Sequence, residues 1–202
     1  RTFRVVASDY VVAAVLADAA RRLVTVAPGV RLEFVLPDEV AAERLERGEM
    51  DLMITPAEFL VESQPSELLY EESHVVAGCR ENPIFRTGVT AAAISAAGHV
   101  MVSMGPHRVT SFGDRQMEQI APDRRIEAVA SSFTVLPWLL IGTQRLALMH
   151  SRLAVLMAQH LPIAFAPLPF PFPMMREMLQ YHRARSADEG LRWLISEICD
   201  VA

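Results

Sequence analysis

Two periodicities alternate over residues 1–55, and this alternation most restricts what the chain can fold into. Phe3 to Ala7 is a short apolar run suited to a buried strand. Ser8-Asp9 then caps a helix in which Val12, Val15, Leu16, Ala19, Leu23 and Val26 recur at helical spacing, and Pro28-Gly29 stops it. Val30 to Leu36 sets Leu32, Phe34 and Leu36 against Arg31, Glu33 and Val35, the two-residue period of a strand. Pro37-Asp38 opens a second helix over Glu39 to Arg47, and Gly48 stands where a left-handed C-cap is wanted. Asp51 to Thr55 is a third strand. Strands joined by helices through such short links predict a largely parallel sheet with helices on both faces.

The next stretch is less regular. Leu68 to Cys79 reads as one long strand, Arg80 to Gly88 as a polar turn region and Thr90 to Ala97 as a short Ala-rich helix. Val100 to Met104 is an apolar strand ended by Gly105-Pro106, and Ser111 can cap the helix after it, Ser111 to Ala121. The pattern then restarts with strands over Arg125 to Val129, Arg145 to Met149 and Ile163 to Leu168. Helices fall over Phe133 to Gly142, with Pro137 in its first turn, and Arg152 to His160. Pro167, Pro169, Pro171 and Pro173 forbid a helix and favour an extended link. Met175 to Arg183 is a strand, and Ser186 with Glu189 forms a capping box before a helix whose core face is Leu191, Leu194, Ile195 and Ile198.

The chain is therefore read as α/β with two units joined by two crossings. Gly98 to Phe112 is the outbound crossing and 167–173 the return, giving residues 1–98 plus 169–202 in one subdomain and 99–168 in the other. Two such lobes make a cleft, and open α/β sheets take ligands at the carboxyl ends of their strands.

Composition narrows the function. Of 202 residues 51% are hydrophobic, enough for a substantial core. The net charge is −5 and all 19 basic residues are Arg, dispersed along the chain, which makes a poor nucleic-acid surface by itself. The two cysteines, Cys79 and Cys199, have no zinc or disulfide-framework spacing, and no apolar run reaches the length of a membrane span. Neither a cofactor motif nor a metal-ligand pattern is present, so no cofactor and no metal are expected. The Arg start, with no signal peptide, fits a piece of a longer cytoplasmic protein.

The ordered set of motifs resembles one family. Phe3-Arg4-Val5-Val6-Ala7-Ser8-Asp9-Tyr10, then Pro28-Gly29-Val30, then Leu45-Glu46-Arg47-Gly48-Glu49-Met50-Asp51-Leu52-Met53-Ile54 are similar to the effector-binding domain of LysR-type transcriptional regulators. So are His74 to Cys79 followed by Asn82-Pro83, and Gly98-His99-Val100. Leu36-Pro37-Asp38-Glu39 and Ser8-Asp9-Tyr10 resemble the subgroup of nodulation regulators and aromatic sensors. The resemblance implies two Rossmann-like subdomains of the type 2 periplasmic-binding-protein fold, with a small, aromatic effector between them. It also implies self-association through subdomain I, no membrane contact, and DNA binding only through a winged helix-turn-helix absent from this chain.

Candidate effector contacts follow. Ser8, Asp9 and Tyr10 lie at the end of the first strand, where a helix start favours an anionic or phenolic group; Asp9, if it is the N-cap, already occupies those donors and tilts the reading to a neutral or phenolic effector. His107, in the loop after Gly105-Pro106, matches a histidine of the aromatic-sensing subgroup. Ser103 and Met104 precede it. Phe112 and Phe133 are walls or core. Ser132 stands where salicylate sensors carry a second histidine, which counts against salicylate. Phe170 lies on the return crossing, and His150 reads as structural. Two other functions are compatible: a solute-binding protein of the same fold, and a hydrolase using Ser103 and His107, although Met101 replaces the first Gly of a G-x-S-x-G elbow.

Overall fold

The computed structural model describes residues 1–105 and 109–202; His107 lies outside the described residues. In chain order the elements begin β1 (Thr2–Val6), then α1 (Asp9–Val11), which continues through a π-helical segment (Val12–Leu16) into α2 (Ala17–Val26). β2 (Arg31–Val35), α3 (Ala41–Glu46), β3 (Leu52–Pro56), β4 (Ser66–Glu72), β5 (His74–Cys79), α4 (Ile84–Thr87) and α5 (Ala91–Ala96) follow. Next come β6 (Gly98–Met104), β7 (Val109–Thr110), α6 (Phe112–Ile120), β8 (Arg125–Ala130) and a 3-10 turn (Leu136–Leu139). β9 (Leu146–His150), α7 (Ser151–Ala158), β10 (Ile163–Pro167), β11 (Met175–Gln180) and α8 (Glu189–Cys199) complete the chain.

These elements form two compact units, Arg1–Glu71 with Met175–Ala202, and Glu72–Met174. The sequence places the divisions at 98 and 169; the structure places them earlier on the way out and later on the way back. The reason is local. Leu68 to Cys79 is not one strand: the polar run Glu71-Glu72-Ser73 breaks it, and β4 and β5 belong to different sheets. All six residues of β5 are buried between β10 and β9, which fixes it inside the second unit. Gly98 to Gly105 and Val109 to Phe112 accordingly lie inside that unit and not at its boundary.

The first unit's sheet has the order β2-β1-β3-β11-β4. β1 pairs parallel with β2 and with β3, as the alternation predicts, while β11 returns antiparallel to β3. Ser8 is the N-cap, accepting from the Val11 N–H at 3.3 Å, so Asp9 is the first helical residue rather than the cap. α3 ends as expected: Gly48 has φ +71°, its N–H reaches Leu45 O at 2.9 Å, and Glu49 N–H reaches Arg44 O at 2.9 Å. These are the two bonds of a Schellman cap, which needs a left-handed residue. Gly48→Ala is expected to cost roughly 1–2 kcal/mol for that conformation, read as a lowered urea midpoint at unchanged slope. The last helix is capped by Asp188, which accepts from Leu191 N at 3.1 Å, and not by Ser186, which closes a 3-10 turn before it.

The second unit's sheet has the order β10-β5-β9-β6-β7, with β8 on β6. β6, β8 and β9 run parallel; β5 is antiparallel to β9 and β10. The apolar run around Pro137 gives only the 3-10 turn, shorter than the expected helix over Phe133 to Gly142. One core cluster gathers Val76, Ile84, Ile94, Met117, Leu146 and Leu148. The proline-rich segment belongs to this unit. Its four prolines face solvent, while Leu168, Phe170 and Phe172 are half-buried against that cluster.

Candidate functional site

In the first unit Ser8 and Asp9 are half-buried at the carboxyl end of β1, with the Ser8 hydroxyl already taken by the Val11 N–H. Tyr10 is 1% exposed and packs into that unit's core.

In the second unit several expected residues converge on two histidines. His74 opens β5 and His150 closes β9, and the antiparallel register makes them direct cross-strand partners. Their ring centroids lie 4.9 Å apart. Phe112, the first residue of α6, stands 5.7 Å from His74, and Phe133 meets His150 edge-on at 4.8 Å. Phe172 comes from the proline-rich segment and stands 5.4 Å from His74. Gly113 lies against the same rings: a Cβ there would fall 2.9 Å from His74 Cδ2 and Nε2 and 2.6 Å from Leu148 Cδ2. The cluster sits at the carboxyl ends of β8 and β9, the end at which open α/β sheets take ligands.

Both imidazoles are neutral. Burial pushes His74 down to about 4, and burial with the neighbouring His74 pushes His150 well below the ordinary histidine value. The Nδ1 atom of His74 has no hydrogen-bond partner among the described residues. A neutral imidazole offers one donor and one acceptor, and the phenyl rings offer flat apolar surface. The cluster thus suits a neutral planar group bearing a hydroxyl or carbonyl better than an anion.

The other expected contacts are distributed around it. Ser103 and Met104, half-buried, end β6; the Ser103 Oγ is enclosed and has no partner among the described residues. Ser132 caps the turn after β8, its Oγ accepting from Val135 N at 3.2 Å. Phe170 packs on the core cluster around Leu146. His74 and Phe172 are additions of the structure. His74 carried a faint signal, a polar ring heading an otherwise apolar strand.

Asp114 is a buried hub beside this cluster. Its carboxylate accepts from Val102 N at 3.0 Å, Ser111 Oγ at 2.9 Å and Arg124 Nη2 at 2.8 Å. At the opposite ends of the strands a polar cavity of about 490 Å³ is lined by Arg125, Arg145, Thr143 and Asn82. Glu127, the extra residue of a bulge on β8, lies there 3.0 Å from the Nε of Arg125 and of Arg145. Its carboxylate covers Gly98, where a Cβ would lie 2.3 Å from it, and the guanidinium of Arg145 foremost holds it below the usual range. Those cations are already engaged by a carboxylate of the protein. Among the described residues no group of three or more His, Cys, Asp or Glu could hold a metal ion.

The sequence profile of the LysR substrate binding domain matches residues 1–202. The chain is 30% identical over 202 residues to nodulation protein D 1 of Rhizobium leguminosarum bv. phaseoli, covering 100% of this chain and 64% of that protein. It is 31% identical over 194 residues to nodulation protein D 2 of Bradyrhizobium diazoefficiens, covering 96% and 59%. The chain thus spans about six-tenths of the length of these curated relatives. Among solved structures, the probable transcriptional regulator PA0477 of Pseudomonas aeruginosa superposes with a TM-score of 0.87 at 24% identity, covering 100% of this chain and 67% of that one. The regulatory domain of MexT, a transcriptional activator of the same organism, gives 0.85 at 21% identity, covering 100% and 98%. At these identities the superpositions speak for the fold.

Proposed function

The chain belongs to the LysR substrate binding domain family, and on that premise we propose that it is the effector-sensing part of a LysR-type transcriptional regulator whose inducer is a small, neutral aromatic molecule. The observation that carries the chemical class is the neutral His74–His150 pair walled by Phe112, Phe133 and Phe172. Ser103, Met104, Ser132 and Phe170 supply further contacts in the same unit. His107 keeps its role as a contact through the family resemblance alone. The effector acts by binding one arrangement of the regulator more tightly than another, so its differential affinity sets the shift.

DNA binding is assigned to a segment outside these residues, and a cytoplasmic location goes with that role. No helix among the described residues is long and apolar enough to cross a membrane. Exposed Val24, Val26, Phe34 and Leu36 of the first unit support self-association through that unit. No catalytic step is part of this reading.

A thermal-shift screen with flavonoids, chlorinated phenols and benzoates tests it. A ligand at a hundred times its Kd adds about 2.7 kcal/mol to stability, which for a domain of this size raises Tm by roughly 5–10 °C. Neutral hydroxyaromatics are expected to give that shift and simple benzoates none; the reverse order would overturn the chemical class. A shift that survives His107→Ala unchanged would remove His107 from the contacts.

A further inference from the structure

The cavity of about 490 Å³ lies at the starts of β6, β8 and β9, wholly within the second unit. Its volume falls in the range of roughly 300–1,000 Å³ usual for small-molecule sites. Part of its lining is apolar. Ala93 and Ala96 stand three residues apart on one face of α5, and Ile84 of α4 and Leu146 of β9 add larger aliphatic surface. The rest is polar, and most of the uncharged polar groups are already used. Asn82 Nδ2 donates to Gln144 O at 3.0 Å while its Oδ1 accepts from Ile84 N at 3.1 Å, and Thr143 Oγ1 donates to Leu140 O at 2.9 Å. These groups shape the cavity; recognition falls to Arg125, Glu127 and Arg145.

The backbone places those three charges. Gly98 is opposite Arg125 and His99 opposite Ile126, but Val100 is opposite Ala128, so Glu127 is the residue left over. A bulge re-aims the side chain it carries. Here the carboxylate lies over Gly98, an approach that a Cβ, 2.3 Å away, would forbid. Arg125 meets Oε1 through Nε at 3.0 Å and Nη2 at 2.9 Å, and Arg145 donates to Oε2 through Nε at 3.0 Å. Among the described residues the Arg145 side chain bonds through Nε alone, which leaves both Nη groups to a ligand. A carboxylate accepts about four hydrogen bonds, so Oε2 keeps room for one more.

We propose that this cavity binds an apolar α-amino acid as its zwitterion, with the carboxylate on the Nη groups of Arg145, the ammonium on Glu127 and the side chain on Ile84, Ala93 and Leu146. The charges decide the class. Glu127 is ionised at neutral pH, held below the usual carboxylate range foremost by Arg145. A simple carboxylate would have to lie beside that anion, and a simple amine beside two guanidinium groups, each with repulsion to overcome. A ligand carrying both charges on one carbon matches a cation and an anion 3.0 Å apart, and each new contact is a charge-assisted hydrogen bond. The site differs in place and in chemistry from the neutral ring cluster at the other ends of the strands.

Titration of the ¹⁵N-labelled chain with L-leucine, followed by amide shifts, tests this. Shifts are expected within 84–98, 125–127 and 143–146, and not at His74, Phe112 or His150. Isocaproate, which lacks the ammonium, and L-leucinamide, which lacks the carboxylate, should each bind at least roughly tenfold more weakly, the scale of one hydrogen bond to a charged group. Arg145→Met and Glu127→Gln should weaken L-leucine by a similar factor. No shift at these residues with L-leucine, either analogue binding as tightly as L-leucine, or undiminished binding in both variants would overturn the proposal. The ligand series is read on the wild type, so the proposal stays decidable even where a variant fails to fold.

Discussion

Asp114→Ala is expected to lower the stability of the chain by about 3–5 kcal/mol, the range for breaking a buried ion pair from one side. The side chains of Asp114 and Arg124 are each 3% exposed. Removing the carboxylate leaves a guanidinium whose Nε and Nη1 already lack partners among the described residues, and now without its countercharge. It also strands the Val102 N–H in the middle of β6 and the Ser111 hydroxyl that caps α6. Asp114→Asn should cost less, because one amide oxygen still accepts from Val102. The double replacement D114L/R124M should recover most of the loss, since two apolar side chains of similar volume require no buried charge. Urea unfolding of the three proteins at pH 7 measures this. A double variant no more stable than Asp114→Ala would show that the hydrogen bonds to β6 and Ser111, and not the stranded cation, set the cost.

Gly113→Ala is expected to destabilise by about 1–3 kcal/mol before an offset of roughly 0.5–1 kcal/mol from better helix propensity. The new Cβ would meet Leu148 Cδ2 at 2.6 Å and the His74 ring at 2.9 Å. The leucine methyl can swing away. The imidazole cannot easily, because His150, Phe112 and Phe172 surround it. The larger Gly113→Val should therefore cost more than Gly113→Ala by more than its extra volume alone suggests. Combined with His74→Ala the effect of Gly113→Ala should shrink, a non-additive pair in a double-mutant cycle. Strict additivity would place the strain at Leu148 instead.

Much of the fold was legible because local rules carried it. The Gly48 cap, the Ser111 cap with Asp114 three residues on, the buried run of β9 and the apolar face of α8 all follow from nearest-neighbour chemistry. The π-helical segment at Val12–Leu16 left no trace in a sequence of good helical spacing. The split of 68–79 into β4 and β5 was written in Glu71-Glu72-Ser73, but an apolar run on both sides hid it. The candidate site shows the same boundary between local and distant. Phe112 and Phe133 were found because they stand beside helix and turn starts. His74 and Phe172 were not, because 76 residues separate His74 from His150 and their meeting depends on the β5–β9 register. The fold class was readable from periodicity; the ring cluster required the pairing of strands that periodicity does not specify.

The strand order β3-β11-β4 has a consequence for how the polypeptide is made. β3 and β4 leave the ribosome early, yet the strand that lies between them is β11, which follows the whole of Glu72–Met174. Until Met175–Gln180 has been translated, the nascent first sheet has a gap one strand wide, with β4 detached from the other three. The second unit has all its strands before that point. Synthesis thus completes the inserted unit first and closes the surrounding one last, leaving β3 as an unpaired edge for the time it takes to translate more than a hundred residues.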